Sequence, residues 1–184
     1  MSKTRSNKRT KKRTSKQVYT RKHYYSNDGM LTSVWGPSTW LFLHTMSFNY
    51  PVKPTCEEKR NYREYILNIR HVLPCGKCRN NLCNNFKRLP LLYKHMKNRT
   101  TFSKYIYDLH EIINEMLGKK SGLSYNDVRD RYENFRSRCR ITDHKPVISK
   151  EDGCTDPVYG EKSKCILQIV PHSKKCKTFT TLVD

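Results

Sequence analysis

No apolar run in this chain approaches the roughly 20 residues a membrane-spanning helix needs, so a helical span is excluded. A secretory h-region is missing too, which gives no expectation of export. Acid is scarce: residues 1–25 hold ten Lys or Arg and no Asp or Glu. Beyond Met1, Val18 and a few tyrosines they also lack apolar side chains, so they cannot bury enough surface to repay their ordering entropy. Residues 1–29 are therefore expected to form a disordered basic arm. A mitochondrial-type transit peptide is also basic and acid-poor, but it is amphipathic, and no apolar face exists here. Before residue 140 no stretch alternates as a half-buried strand does.

What is abundant is positive charge and cysteine. The 184 residues carry a formal net charge of +21 and eight cysteines: Cys56, Cys75, Cys78, Cys83, Cys139, Cys154, Cys165 and Cys176. Without a signal peptide a secreted disulfide scaffold is disfavoured, leaving metal binding or redox catalysis. The arm suits contact with nucleic acid, an acidic partner or an anionic surface, or nuclear import through Lys11-Lys12-Arg13. A merely solubilising tail fits its composition equally well.

From Trp35 to about Arg140 the sequence reads as helical. Gly36-Pro37 offers a helix start, and Trp40, Leu43, His44 and Phe48 then share one face. Pro51 and Pro54 end that helix. Thr55-x-x-Glu58 is a capping box for a second, with Tyr62, Tyr65, Ile66, Ile69 and Val72 or Leu73 as its apolar stripe. Pro74 stops it, and a third helix runs from Cys75 through Phe86 toward Pro90. A fourth spans about Thr101 to Leu117, lined by Phe102, Tyr105, Ile106, Leu109, Ile113 and Met116 or Leu117, with Gly118 as its C-terminal cap. Ser124-x-x-Asp127 opens a short fifth helix carrying Val128, Tyr132 and Phe135. The expectation is an all-α four-helix bundle with a short fifth helix. Residues 140–184 read as an irregular cysteine-containing extension, in which Ile166–Val170 forms at most one strand.

The chemistry concentrates at Pro74-Cys75-Gly76-Lys77-Cys78. Two cysteines three apart close a small reducible disulfide, and at a helix start the unpaired N–H groups and the dipole favour a thiolate of lowered pKa. A C-x-x-C is also half a zinc site. Cys75, Cys78, Cys83 and His71 would supply four ligands, with the basic arm contacting phosphates in a zinc-stabilised nucleic-acid-binding module. Against this, structural zinc sites usually join separated knuckles. A thioredoxin-like reading needs a βαβ context that is missing. To oxidise thiols repeatedly the pair needs an electron acceptor beside it. Trp40 and His44, and His110 and Asn114, are i, i+4 neighbours that would line a pocket for a flat cofactor.

The series Trp35-Gly36-Pro37-Ser38-Thr39-Trp40-x-x-x-His44-Thr45, Tyr50-Pro51, Pro74-Cys75-x-x-Cys78 and Leu109-His110-x-x-x-Asn114-x-x-Leu117-Gly118-Lys119 resembles the FAD-linked sulfhydryl oxidase family (the ERV/ALR domain) over residues 30–139, most closely the versions from large DNA viruses. The resemblance implies noncovalent FAD, thiol-containing protein substrates, O₂ as acceptor with release of hydrogen peroxide, and a homodimer. It implies that Cys75 meets the donor thiol and Cys78 the flavin. Gly36, Trp40, His44, Tyr50, His110, Asn114, Lys119 and Tyr132 then form the cofactor pocket, with no metal. Three features depart from the pattern: Glu111 stands where an Asn is usual, Tyr132 replaces a Trp, and Tyr125 replaces the cysteine that would pair with Cys139. No second short cysteine pair is present, so Cys83, Cys154, Cys165 and Cys176 are the candidates for an electron relay. Cys56 and Cys83 read as ordinary thiols. A viral member would act in the host cytoplasm or in virus particles, a cellular one between the mitochondrial membranes.

Overall fold

The computed structural model describes residues 19–138 and 154–161. Its helices are α1 (Arg21–Tyr25), α2 (Thr32–Phe48), α3 (Cys56–Val72), α4 (Gly76–Arg88), α5 (Arg99–Met116) and α6 (Tyr125–Glu133), with a 3-10 turn at Tyr93–Met96. Strands β1 (Ser137–Arg138) and β2 (Asp156–Pro157) pair antiparallel. The fold is all-α in its body: α2 to α5 form the bundle, and α6 packs on α2 and α5. No helix among the described residues is long and apolar enough to cross a membrane.

Local chemistry explains most boundaries. Thr55 Oγ1 accepts the Glu58 N–H (3.1 Å) while Glu58 Oε2 accepts the Thr55 N–H (2.7 Å), the reciprocal cap that starts α3. Ser124 and Asp127 do the same for α6. Helix α5 ends in a Schellman motif: Gly118 adopts φ +66°, its N–H bonds Glu115 O (3.0 Å), and the Lys119 N–H bonds Asn114 O (2.8 Å). The core joins Leu43, Tyr50, Ile66, Phe86, Met96, Phe102 and Ile106 from every bundle helix and the 3-10 turn.

Three expectations change. Helix α2 begins at Thr32, four residues before Gly36, with Pro37 inside it. Proline there withdraws the N–H that would bond the Ser33 carbonyl. Tertiary bonds hold the extra turn instead: Met30 N–H to Pro74 O (2.7 Å) and Trp35 Nε1–H to Met30 O (3.0 Å). Residues 19–29, assigned to the disordered arm, contain α1, capped by Thr20, and a segment paired with Cys75. Residues 137–138 form a strand although nothing before 140 alternates, because two residues are too few to show a period. Residues 1–18 and Ile166–Val170 lie outside the described residues.

Candidate active site

Pro74 ends the α3 connection and Cys75 becomes the N-cap of α4, its backbone extended at φ −151°. Its Sγ accepts the Cys78 N–H at 3.2 Å, so one sulfur occupies the place where a helix N-terminus takes a side-chain acceptor. Cys78 lies in the first turn, half-buried, with the Thr32 hydroxyl 3.8 Å from its Sγ. Burial pushes the Cys78 thiol up, and the Cys75 sulfur adds to this, while the Thr32 hydroxyl and the Arg79 guanidinium pull it down.

Further along α2 an aromatic cluster joins three helices. Trp40 stacks on His110 of α5 with centroids 3.8 Å apart and planes at 8°. One turn on, His44 Nε2 and His110 Nδ1 share a hydrogen bond of 3.0 Å. Tyr132 of α6 lies 5.1 Å from the His44 ring and stacks on Phe48 at 5.5 Å. Burial, then His110, holds His44 down to about 3. Burial also holds His110 down to about 4, with Glu111 opposing and Lys119 assisting. Both imidazoles are neutral at pH 7, so one donates to the other.

A base whose folded pKa lies below its unfolded value leaves the unfolded chain holding more protons, so acid favours unfolding. The two histidines therefore make stability full above pH 6.5 and lost as pH falls from 6.5 toward about 3 to 4. Thermal unfolding from pH 8 to 4 is expected to show a midpoint that drops below pH 6.5, with a shallower drop in His110→Asn.

Thr32, Gly36, Trp40 and His44 are spaced four apart and mark one face of α2. Thr32 and Trp40 are about 12 Å apart along the axis, so this face joins the dithiol to the aromatic cluster. Between them Gly36 is buried, yet a Cβ there would meet only Thr32 Cγ2, at 3.6 Å. His44 Nδ1 is buried and has no hydrogen-bond partner. An orphaned ring nitrogen, flat faces and a side-chain-free step fit a planar aromatic group with polar edges.

Asn114 and Lys119 stand at the α5 end of this region. Asn114 Nδ2 donates to Glu111 Oε1 (3.1 Å), so the departure at Glu111 is tied to the residue it was expected to flank. Lys119 is exposed just past the Schellman turn. Tyr50 is not brought to the cluster. It is fully buried, its hydroxyl donates to Met96 O (3.0 Å), and its ring packs on Tyr62 and Phe102, both at 4.8 Å. Its packing here is that of a core residue.

Sequence reasoning missed Phe48 as a site residue, though it stands four beyond His44. It also missed Arg136, whose guanidinium donates to Phe48 O (2.6 Å) and Glu133 Oε1 (2.8 Å), fastening the end of α6 to the end of α2. No periodicity signals such a bond across 88 residues. Tyr125, in place of a pinning cysteine, hydrogen-bonds Ser103 Oγ (2.8 Å) and lies beside Phe48 and Tyr107. Cys139, Cys165 and Cys176 lie outside the described residues. Cys154 is disulfide-bonded, while Cys56, Cys75, Cys78 and Cys83 are free thiols. Among the described residues, Cys75, Cys78, Cys83 and His71 included, no three His, Cys, Asp or Glu gather as a metal site.

Residues 37–133 match the profile of the Erv1 / Alr family. The chain is 35% identical over 99 residues to a probable FAD-linked sulfhydryl oxidase of Acanthamoeba polyphaga mimivirus, covering 54% of this chain and 68% of the relative. It is 29% identical over 99 residues to the FAD-linked sulfhydryl oxidase of African swine fever virus (isolate Pig/Kenya/KEN-50/1950), covering 54% and 80%. With FAD-linked sulfhydryl oxidase ERV1 of Arabidopsis thaliana it shares 30% over 84 residues, 46% of this chain and 42% of the relative. The crystal structure of the FAD binding domain of Erv1 from Saccharomyces cerevisiae superposes with a TM-score of 0.51 at 21% identity, covering 56% of this chain and 94% of that one, a likeness of fold.

Proposed function

The chain belongs to the Erv1 / Alr family, and on that premise we propose that it is an FAD-dependent thiol oxidase that forms disulfide bonds in protein substrates. The observation that carries the reading is the single face of α2 that joins the Cys75–Cys78 pair, through Thr32, to the cluster of buried His44 with half-buried Trp40 and His110. Gly36, Trp40, His44, His110, Asn114, Lys119 and Tyr132 are the residues assigned to hold the cofactor, with Tyr50 supporting them from the core.

In the oxidised form Cys75 and Cys78 are joined. A substrate thiol, having lost its proton to solvent, attacks Cys75 Sγ. The Cys75–Cys78 bond breaks and its electron pair stays on Cys78. A second substrate thiolate then attacks the mixed disulfide, freeing Cys75 as a thiolate and leaving the substrate oxidised. FAD, when bound, supplies the two-electron acceptor that restores the pair and passes the electrons to O₂, giving hydrogen peroxide. The chain's own part is to hold Cys75 as the helix cap, keep Cys78 half-buried, and keep both imidazoles neutral beside the stacking faces.

The proposal includes a homodimer, supported by Phe42 and Tyr65, which meet edge to face at 6.3 Å and stay exposed on α2 and α3. On charge alone residues 1–18 would engage an acidic partner or nucleic acid. The proposed location is the host cytoplasm or virus particles, in line with the viral origin of several relatives; the alternative is the mitochondrial intermembrane space, in line with a Schizosaccharomyces pombe relative named as mitochondrial, 30% identical over 87 residues. The purified protein is expected to be yellow, with one FAD per chain. A preparation that stays colourless after refolding with FAD overturns the reading.

A further inference from the structure

Thr32 carries no role in any motif of the sequence. It reaches the dithiol because the segment before α2 is laid against Pro74–Gly76. Gly29 pairs with Cys75 in an antiparallel bridge, Met30 N–H bonds Pro74 O (2.7 Å), and Gly76 N–H approaches Asp28 O (3.4 Å). The approach is too close for side chains. A Cβ on Gly29 would lie 2.4 Å from Pro74 O and 2.7 Å from Cys75 Cα, and one on Gly76 would lie 2.0 Å from Ser26 O. Both glycines are thus required by proximity rather than by backbone angle. Arg79 locks the same place from α4: it donates to Leu73 O (2.7 Å) and Tyr24 O (2.5 Å), with its guanidinium carbon 4.3 Å from the Tyr24 ring centroid. The strap so fixed starts α2 four residues early and sets Thr32 Oγ1 3.8 Å from Cys78 Sγ, across 46 residues of sequence.

Opening the Cys75–Cys78 disulfide leaves the bonding electron pair, and a negative charge, on Cys78. A leaving thiolate departs faster when it is stabilised, and a hydroxyl beside it donates a charge-assisted hydrogen bond. We propose that Thr32 is a catalytic residue whose hydroxyl donates a hydrogen bond to the Cys78 thiolate, and that the strap over residues 26–31 exists to hold it there. This rests on the oxidase reading for its place in the cycle, but not for its geometry. The groups that bear on Cys78 are Cys75 and Arg79 of α4 and Thr32 of α2; the carboxylate of Asp28, in the strap, turns to Ser26 Oγ (2.9 Å). Against burial and the neighbouring sulfur, Thr32 and Arg79 favour the charged form, as the start of α4 does.

The test is the pH dependence of Cys78 alkylation by iodoacetamide in the full chain, read by mass spectrometry of its peptide in a Cys75→Ser background. Thr32→Val keeps the shape and removes the hydroxyl; Thr32→Ser keeps the hydroxyl. The alkylation midpoint is expected to rise by about 0.5–1 pH unit in Thr32→Val and to return in Thr32→Ser. With Cys75 and Cys78 intact, disulfide opening by dithiothreitol is expected to slow roughly three- to tenfold in Thr32→Val. A midpoint unmoved in Thr32→Val, or moved equally in both variants, overturns the hydrogen bond. An unmoved midpoint in an active enzyme leaves the oxidase reading standing; a moved midpoint in a protein that oxidises no thiols keeps the hydrogen bond and overturns the oxidase.

Discussion

Cys78→Ser is expected to cut thiol oxidation by at least about 10³-fold, as removal of an obligatory nucleophile does, while the protein stays folded and keeps FAD. Serine at position 78 cannot form the disulfide with Cys75, so the bond that the substrate thiol must open does not exist. The fold should tolerate the change, since Cys78 is only half-buried and serine keeps a polar group facing the Thr32 hydroxyl, 3.8 Å from Sγ. Cys75→Ser is expected to be equally inactive but at least as stable, because serine is a strong N-cap and its oxygen can take over the Cys78 N–H that the sulfur now accepts at 3.2 Å. Oxygen uptake with dithiothreitol and thermal unfolding check both halves of this expectation. An active Cys78→Ser enzyme would remove the dithiol from the mechanism.

The largest effect on stability is expected from Phe102→Ala. Phe102 is fully buried, its ring 4.8 Å from Tyr50 and 5.9 Å from Tyr62. Losing a buried aromatic ring from such a place costs about 3–5 kcal/mol in transfer and cavity terms, which for a chain of this size lowers Tm by roughly 6–20 °C. The damage should spread toward the site. Tyr50 ends the α2 connection, its hydroxyl bonds Met96 O, and Arg99 Nε donates to its carbonyl (2.6 Å), so a void beside it loosens three bonded elements at once. Chemical denaturation should show a lower midpoint. Phe42→Ala, at a position exposed on the single chain, should change the stability of that chain by less than about 1 kcal/mol and weaken the proposed dimer.

The contrast between these positions shows which parts of the molecule are local in origin. The caps Thr55/Glu58 and Ser124/Asp127, the Gly118 terminus and the start of α4 at Cys75 were legible, because a few adjacent residues satisfy the backbone groups of a helix end. Trp40, His44 and His110 were legible as a set because helical spacing aligns them and the family resemblance joins the two helices. The start of α2 was not. Pro37 signals a first turn locally, and bonds from Met30 to Pro74 and from Trp35 to Met30 outweigh it. Tyr65 and Val72 match the stripe of α3 by period, yet both are exposed, since a stripe shows which face is apolar and not how far the neighbouring helix reaches. Tyr50 shows the same limit: the motif places it just past the end of α2, while the Met96 carbonyl and the rings of Tyr62 and Phe102 place its side chain in the core. The strap, Thr32 and Arg136 depend on pairings across dozens of residues, which no short pattern encodes.

The deciding measurement is an aerobic titration of the purified full chain with dithiothreitol, recording the flavin spectrum, oxygen uptake and peroxide together. One peroxide should appear per dithiol oxidised. The flavin should bleach when oxygen is removed and recover when it returns, and both Cys75→Ser and Cys78→Ser should abolish turnover. Peroxide release that persists in both cysteine variants, or a flavin that dithiothreitol reduces equally fast without them, would contradict electron transfer through the Cys75–Cys78 pair.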